Sequence, residues 1–320
     1  MNENIIPRTF RDRVSRQGCY IYLGGAIEPK IRLAPSSIIE TLKCERRLPS
    51  VFLIGVKKSG TTTLAKYLDL HKQIVLANEV RIPYNESTME GTVHRYYLMM
   101  PLATPRQVVV ANYPGYYWLN RVWLFRTLPY LPDVPKILVI LRNPAERAIS
   151  DYRHMELTGK GLTKEKKAHL FQGDVIKSNF EETVLLPNGS INTSLAFIQK
   201  GLYVTHLSEF ARLIPKEHIL ILNGNEFAKD PLPILRKAES FLSLETFYQD
   251  NHFIYDKKKK FYCAKVSFRP DLTCMGSYKG RKHPTVSREV LKKLEAFYQP
   301  YNRRLKDEFG LSSADFEWIY

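Results

Sequence analysis

Four nearly continuous apolar runs punctuate this chain: residues 51–54 (VFLI), 108–111 (VVVA), 136–141 (KILVIL) and 218–222 (HILIL). None alternates between apolar and polar positions, and short unbroken β-prone runs predict strands buried on both faces. The stretches between them change to helical spacing. A helix is expected from about residue 61 to residue 70, another opens at Pro144 and extends toward His154, and a third covers 230–242. Residues 287–309 form a helical tail that Pro300 should interrupt and Gly310 should stop. Strands alternating with helices predict an α/β fold, a single domain with a central parallel sheet flanked by helices and ligands outside the carboxyl ends of the strands. Residues 1–48 are basic and only weakly periodic; they read as a lead-in, leaving 49–320 as the folded domain.

Composition narrows the partners. With 320 residues, 44% hydrophobic and 25% charged, the chain can bury a large core. Its charge balance is skewed, with 48 Lys and Arg against 32 Asp and Glu, a formal net charge of +16. That field favours a polyanionic partner, and the absence of zinc-finger spacing, a helix-turn-helix pattern or an aromatic RNP motif argues against nucleic acid. The cysteines are Cys19, Cys44, Cys263 and Cys274, and no CxxC is present to mark a metal or dithiol redox site. Cys263 and Cys274 bracket a segment containing Pro270, which leaves either a disulfide-closed hairpin or two separate thiols. Glycosylation triplets at Asn85, Asn188 and Asn192 lean toward a secretory glycoprotein. No run approaches the ~18 apolar residues of a spanning helix, and MNENIIP does not open a signal peptide, so no membrane anchor is expected in this chain: either the protein is cytosolic or an anchor is missing from it.

Chemistry concentrates in a few segments. The first apolar run leads into Gly55-Val-Lys57-Lys58-Ser59-Gly60-Thr61-Thr62-Thr63, a Gly-bracketed loop opening a helix. Such a loop turns backbone N–H groups around a phosphate, and a helix N-terminus attracts the same anion. A kinase-type loop carries its lysine directly after the second glycine; here that position is Thr61, and the lysines lie inside the loop. The run at 136–141 ends in Arg142-Asn-Pro, with Ser150 two helical turns on. Arg142 and Ser150 are placed to hold a second phosphate, or Arg142 simply pairs with Glu146. Gly276-Ser-Tyr-Lys279-Gly280-Arg281-Lys282-His283 is a basic loop, read alone as a solvated turn. The run Lys257–Lys260 is either a solvated face or the rim of a polyanion groove.

Taken in order, these segments resemble the PAPS-dependent sulfotransferases, and most closely the Golgi heparan sulfate glucosaminyl 3-O-sulfotransferases. The resemblance runs from about Pro49 to Phe316 and includes Ile191-Asn-Thr-Ser194, Gly201-Leu-Tyr203 and Lys260-Phe-Tyr262-Cys263. It implies the P-loop-like sulfotransferase fold, the donor 3′-phosphoadenosine 5′-phosphosulfate (PAPS, leaving PAP), no metal requirement, a sulfated heparan-like polysaccharide acceptor and a Golgi lumen location. Lys57, Lys58, Ser59, Gly60, Thr61 and Thr62 would hold the 5′-phosphosulfate, with Lys58 on the leaving oxygen. Arg142 and Ser150 would hold the 3′-phosphate, while Tyr262 and the loop Lys279, Gly280, Arg281, Lys282 and His283 close over the nucleotide. Cys263 and Cys274 match the family's disulfide, and Glu79 matches its general base.

The acceptor side departs from the pattern. The family's Val-His-Phe-Phe-Asp after the base is Val80-Arg81-Ile82-Pro83-Tyr84, and its Glu-Lys-Thr-Pro is Ala111-Asn112-Tyr113-Pro114. Arg81 and Asn112 therefore stand where the acceptor would be met. Transfer to a glucosaminyl hydroxyl of heparan sulfate is the leading expectation. A different acceptor, a non-catalytic PAP- or glycan-binding relative, and a P-loop phosphotransferase are the competing readings.

Overall fold

Residues 14–23, 30–119, 121–163, 165–166, 171–258, 261–266, 269–274 and 285–319 are described by this computed structural model. The apolar runs become the strands β1 (Val51–Gly55), β3 (Val108–Asn112), β4 (Lys136–Leu141) and β5 (Ile219–Asn223). A further strand, β2 (Ile74–Asn78), was not anticipated, although its Ile74-Val-Leu-Ala77 run is as unbroken as the others; it follows closely on the first helix. The five form one parallel sheet in the order β5-β4-β1-β3-β2. In β1 every residue is buried, which is why its pattern is unbroken. The connections from β1 run first to one side and then to the other, so the order reverses beside β1. Open α/β sheets bind ligands at such a switch point, outside the carboxyl ends of the strands.

The expected helices are α1 (Thr61–Leu68), α3 (Pro144–Thr158), α5 (Pro231–Leu242) and α6 (Arg288–Phe309); α2 (Met89–Leu98) and α4 (Tyr203–Ala211) lie between them. Asn143 caps α3, its Oδ1 accepting the N–H groups of Ala145 at 2.9 Å and Glu146 at 3.4 Å, and Pro144 occupies the first turn. In one respect the expectation fails: α6 runs straight through Pro300. Pro300 is exposed while Tyr298 and Asn302 are buried, so the missing N–H falls on the solvent side and packing holds the helix together. Gly310 does end it, at φ 63°.

By contact density the chain divides into two units. One comprises Met1–Ile54, Thr62–Leu138 and Phe227–Gly280; the other comprises Gly55–Thr61, Val139–Glu226 and Arg281–Tyr320. Within the first, Val14–Gln17, Tyr20–Leu23 and Lys30–Leu33 pair antiparallel, so the lead-in contains a small sheet that weak periodicity did not announce. A disulfide between Cys19 and Cys44 secures it. The same unit carries a second antiparallel sheet, Phe253–Asp256, Phe261–Val266 and Arg269–Thr273, closed by Cys263–Cys274. Within the second unit, Ala148, Tyr152 and Met155 of α3 pack in one core with Phe197, Leu294 and Tyr298.

Candidate active site

The loop between β1 and α1 is held by contacts at its entry and in its turn. Its entry is tied to the sheet, Val56 N–H donating to Ile140 O at 3.0 Å, and its turn closes with Ser59 N–H on Val56 O at 3.0 Å. Lys58 sits in the turn at φ 75° and Gly60 at φ 109°. A left-handed lysine costs about 1–2 kcal/mol of backbone strain, so packing rather than propensity sets this conformation. The first turn of α1 contains Thr61, Thr62 and Thr63 and no acidic residue, and that N-terminus favours an anion. This donor set fits a phosphosulfate.

Gly224 is what lets the loop lie so deep. A Cβ there would stand 2.4 Å from Ser59 O and 2.8 Å from Leu141 O, both backbone atoms that cannot turn aside. Gly224→Ala is therefore expected to displace the loop and weaken PAP binding tenfold or more, in line with the ~1–3 kcal/mol cost of overpacking. A calorimetric PAP titration checks this; unchanged affinity would mean the loop does not need that depth.

Beneath the loop lies a charge cluster that sequence reading missed. Asp151 is fully buried, with Lys57 Nζ 2.9 Å from Oδ1 and Arg147 Nη1 3.0 Å from Oδ2. Arg147 is equally buried; Nη1 also donates to Lys57 O at 3.4 Å, and Nη2 donates to Phe197 O. Burial alone would push the Asp151 carboxyl up, but Lys57, Arg147 and Lys200 outweigh it and hold it well below the usual carboxylate range. Burial pulls the Lys200 ammonium down to about 8 against the attraction of Asp151. Asp174 accepts the N–H groups of Ala196 at 2.7 Å and Phe197 at 3.1 Å, and burial pushes its carboxyl up. A signal existed. Positions 144, 145, 147, 148, 149, 151, 152 and 155 form the buried face of α3, so Arg147 and Asp151 are opposite charges four apart on a core face.

At the carboxyl end of β4, Tyr203 donates its hydroxyl to Arg142 O at 2.7 Å, fixing the strand tip. The Arg142 side chain makes the local contact that spacing allowed, Nε donating to Glu146 Oε2 at 2.9 Å, with Asn225 Nδ2 on the same oxygen at 3.2 Å. Ser150 lies half-buried on α3. Lys279, Gly280, Arg281, Lys282 and His283 fall outside the described residues, as do Lys259 and Lys260.

In the first unit, Glu79 follows β2 directly. It is exposed, has φ 59°, and donates its N–H to Asn112 O at 2.8 Å. Asn112 is buried opposite Asn78 in the β2–β3 register and donates Nδ2 to Asn78 Oδ1 at 2.6 Å. Ile82 is fully buried and Val80 O accepts the Tyr116 hydroxyl at 3.0 Å, so the segment after Glu79 is pinned at alternate points. Arg81 turns its guanidinium over the Tyr84 ring, 5.0 Å from the centroid. Tyr262 is half-buried beside Cys263, its carbonyl accepting the Tyr67 hydroxyl at 2.6 Å. Among the described residues no group of three or more His, Cys, Asp or Glu is arranged to hold a metal.

Comparison with known proteins bears on the fold and the family. The crystal structure of a sulfotransferase from Alicyclobacillus acidocaldarius matches 85% of this chain and 98% of its own at a TM-score of 0.55 and 19% identity, which bears on the fold alone. Mouse heparan sulfate glucosamine 3-O-sulfotransferase 3B1 is 32% identical over 85% of this chain, which spans 65% of that relative's length. Human heparan sulfate glucosamine 3-O-sulfotransferase 6 is 30% identical, over 85% of this chain and 74% of its own length. The sulfotransferase domain model matches residues 48–308, a span that takes in the phosphate loop, Glu79 and the buried Asp151 cluster, and on this the chain belongs to the sulfotransferase domain family.

Proposed function

We propose that this protein transfers a sulfuryl group from PAPS to a hydroxyl of a glucosaminyl residue in a heparan-like polysaccharide. The observation that carries the reading is a shared backbone feature. Lys58, after β1, and Glu79, after β2, are both non-glycine residues held at positive φ at the carboxyl ends of strands of one parallel sheet. Strain of that kind persists only where the surrounding structure over-determines it, and it clusters at active sites and ligand clamps.

The donor would be held by Lys57, Lys58, Ser59, Gly60, Thr61 and Thr62 around its 5′ end and by Arg142 and Ser150 at its 3′-phosphate, with Tyr262 and Lys279, Gly280, Arg281, Lys282 and His283 over the nucleotide. When bound, it supplies an activated sulfuryl group. Glu79 takes the proton of the acceptor hydroxyl as that oxygen bonds to sulfur. Lys58 places positive charge where the S–O bond to the 5′-phosphate breaks and negative charge accumulates on the released oxygen. Arg81 and Asn112 lie on the acceptor side of Glu79. A Golgi lumen location accords with the disulfides Cys19–Cys44 and Cys263–Cys274, since such bonds persist in oxidising compartments.

Incubation with labelled PAPS and heparan, chondroitin and small-hydroxyl acceptors tests the reading. Label is expected on a glucosaminyl hydroxyl of heparan, without magnesium-dependent ATP turnover. PAP binding with no transfer to any acceptor would replace it with a non-catalytic glycan-binding role, which the Arg81 and Tyr84 departures favour as the second reading.

A further inference from the structure

Two segments of the first unit build a row of two aromatic rings flanked by cations, of which the roles above use only Arg81. Ile82 and Pro83 are buried, which leaves Arg81 and Tyr84 exposed on either side of them, Tyr84 with 50% of its surface open. The short helix Arg121–Thr127 buries Leu124 and Thr127 and carries Trp123 and Arg126 one turn apart. The Arg126 guanidinium lies 4.9 Å from the Trp123 ring centroid, as Arg81 lies 5.0 Å from that of Tyr84. The Tyr84 and Trp123 rings are 6.2 Å apart at 38°. The result is a continuous guanidinium–phenol–indole–guanidinium row. Among the described residues, neither Arg81 nor Arg126 enters an ion pair.

A guanidinium stacked on a ring is fixed in position and still presents its N–H fork edge-on, the geometry that accepts a carboxylate or sulfate. The rings beside it offer rigid amphipathic surfaces at small entropic cost, suited to the C–H face of a sugar. The row also begins two residues from Glu79. A hydroxyl attacking with Glu79 as base must come within hydrogen-bond reach of that carboxylate, which brings the neighbouring sugar over Arg81 and Tyr84.

We infer that Arg81, Tyr84, Trp123 and Arg126 form an acidic-sugar subsite, in which the rings stack a sugar flanking the reacting one and the two arginines take its carboxylate or sulfate groups. This rests on the assignment of Glu79 as the base end of the acceptor site. It commits the acceptor to an anionic oligosaccharide; a neutral glycan or an aryl alcohol would leave both guanidiniums without a counter-ion.

The test is calorimetric binding of a sulfated heparan hexasaccharide, its desulfated counterpart and a neutral hexasaccharide, with PAP titrated in parallel. Trp123→Ala, Arg81→Ala and Arg126→Ala are each expected to weaken the sulfated chain about tenfold. Each arginine change should reduce the salt dependence by about one unit of slope, by analogy with counterion release. PAP affinity should hold in all of them, and Trp123→Phe, which keeps a ring, should recover most of the loss. Binding within twofold of the parent in Trp123→Ala and Arg126→Ala overturns the subsite, as does equal affinity for the neutral chain. Should Trp123→Ala fail to fold, the exposed Arg126→Ala and the conservative Trp123→Phe decide alone. The two ideas fail separately. Oligosaccharide binding through this row without sulfuryl transfer removes the catalytic reading and keeps the subsite; transfer unaffected by these variants does the reverse.

Discussion

Exchange of Asp151 for asparagine is expected to lower stability by about 3–5 kcal/mol, on the order of 10 °C in Tm, and to cost much of the PAP affinity. The carboxylate is the anion at the centre of Lys57, Arg147 and Lys200, and it has no access to water. Removing its charge leaves buried or half-buried cations repelling one another, and a lost partner in a low-dielectric interior is far more damaging than a lost surface pair. The loop suffers with it, because Lys57 is anchored on Asp151 and its carbonyl accepts from Arg147. Neighbours in one network are not additive, so Lys57→Gln placed on the Asp151→Asn background should cost less than it does alone. Additive losses would mean that the two groups do not act together.

The same cluster sets a pH dependence. Asp151 has a folded value below its ordinary one, so its contribution is complete above the unfolded carboxylate pKa, about 3.9, and is lost as pH falls below it. Lys200 works in the opposite range. With a folded value of about 8 against 10.5, the unfolded chain holds more protons between those values, so this group adds stability as pH rises through that window. In Lys200→Met the alkaline rise should disappear while the acid limb remains, as read from urea midpoints across pH.

Glu79→Gln is expected to reduce turnover by about 10²–10⁴-fold while PAP and glycan affinities stay near those of the parent. Glutamine keeps the size and hydrogen bonding of the side chain but cannot take a proton. The backbone at Glu79 adds a second, independent readout. At φ 59° an L-residue is strained and glycine is not, so Glu79→Gly should abolish transfer while leaving stability unchanged or higher. A residue whose replacement stabilises the fold and removes activity is kept for what its side chain does. Full activity in Glu79→Gln would remove the base assignment whatever the stability result.

Much of this was readable along the chain. Strands β1, β3, β4 and β5 announced themselves because burial on both faces leaves no polar alternation, and Pro144 marked the start of α3. The Arg142–Glu146 pair was one of the two contacts the sequence left open for Arg142. The lead-in sheet and Cys19–Cys44 did not show, because short antiparallel strands draw their stability from partners and a cross-link rather than from a strong pattern of their own. The expected break at Pro300 was overruled by the burial of Tyr298 and Asn302 around it.

By itself, the sequence determined strands β1, β3, β4 and β5, the helices α1, α3, α5 and α6, the loop of glycines and lysines at the end of β1, and the family those motifs mark, since each depends on residues close together in the chain. Only the tertiary structure decided how the two adjacent lysines divide their roles, Lys57 anchored on Asp151 and Lys58 held left-handed in the turn. It alone brought Lys200 to Asp151, Gly224 against Ser59 and Trp123 against Tyr84. The physical reason is range. Backbone preference and burial pattern act over a few residues, whereas charge neutralisation, close backbone approach and ring stacking depend on where distant segments meet.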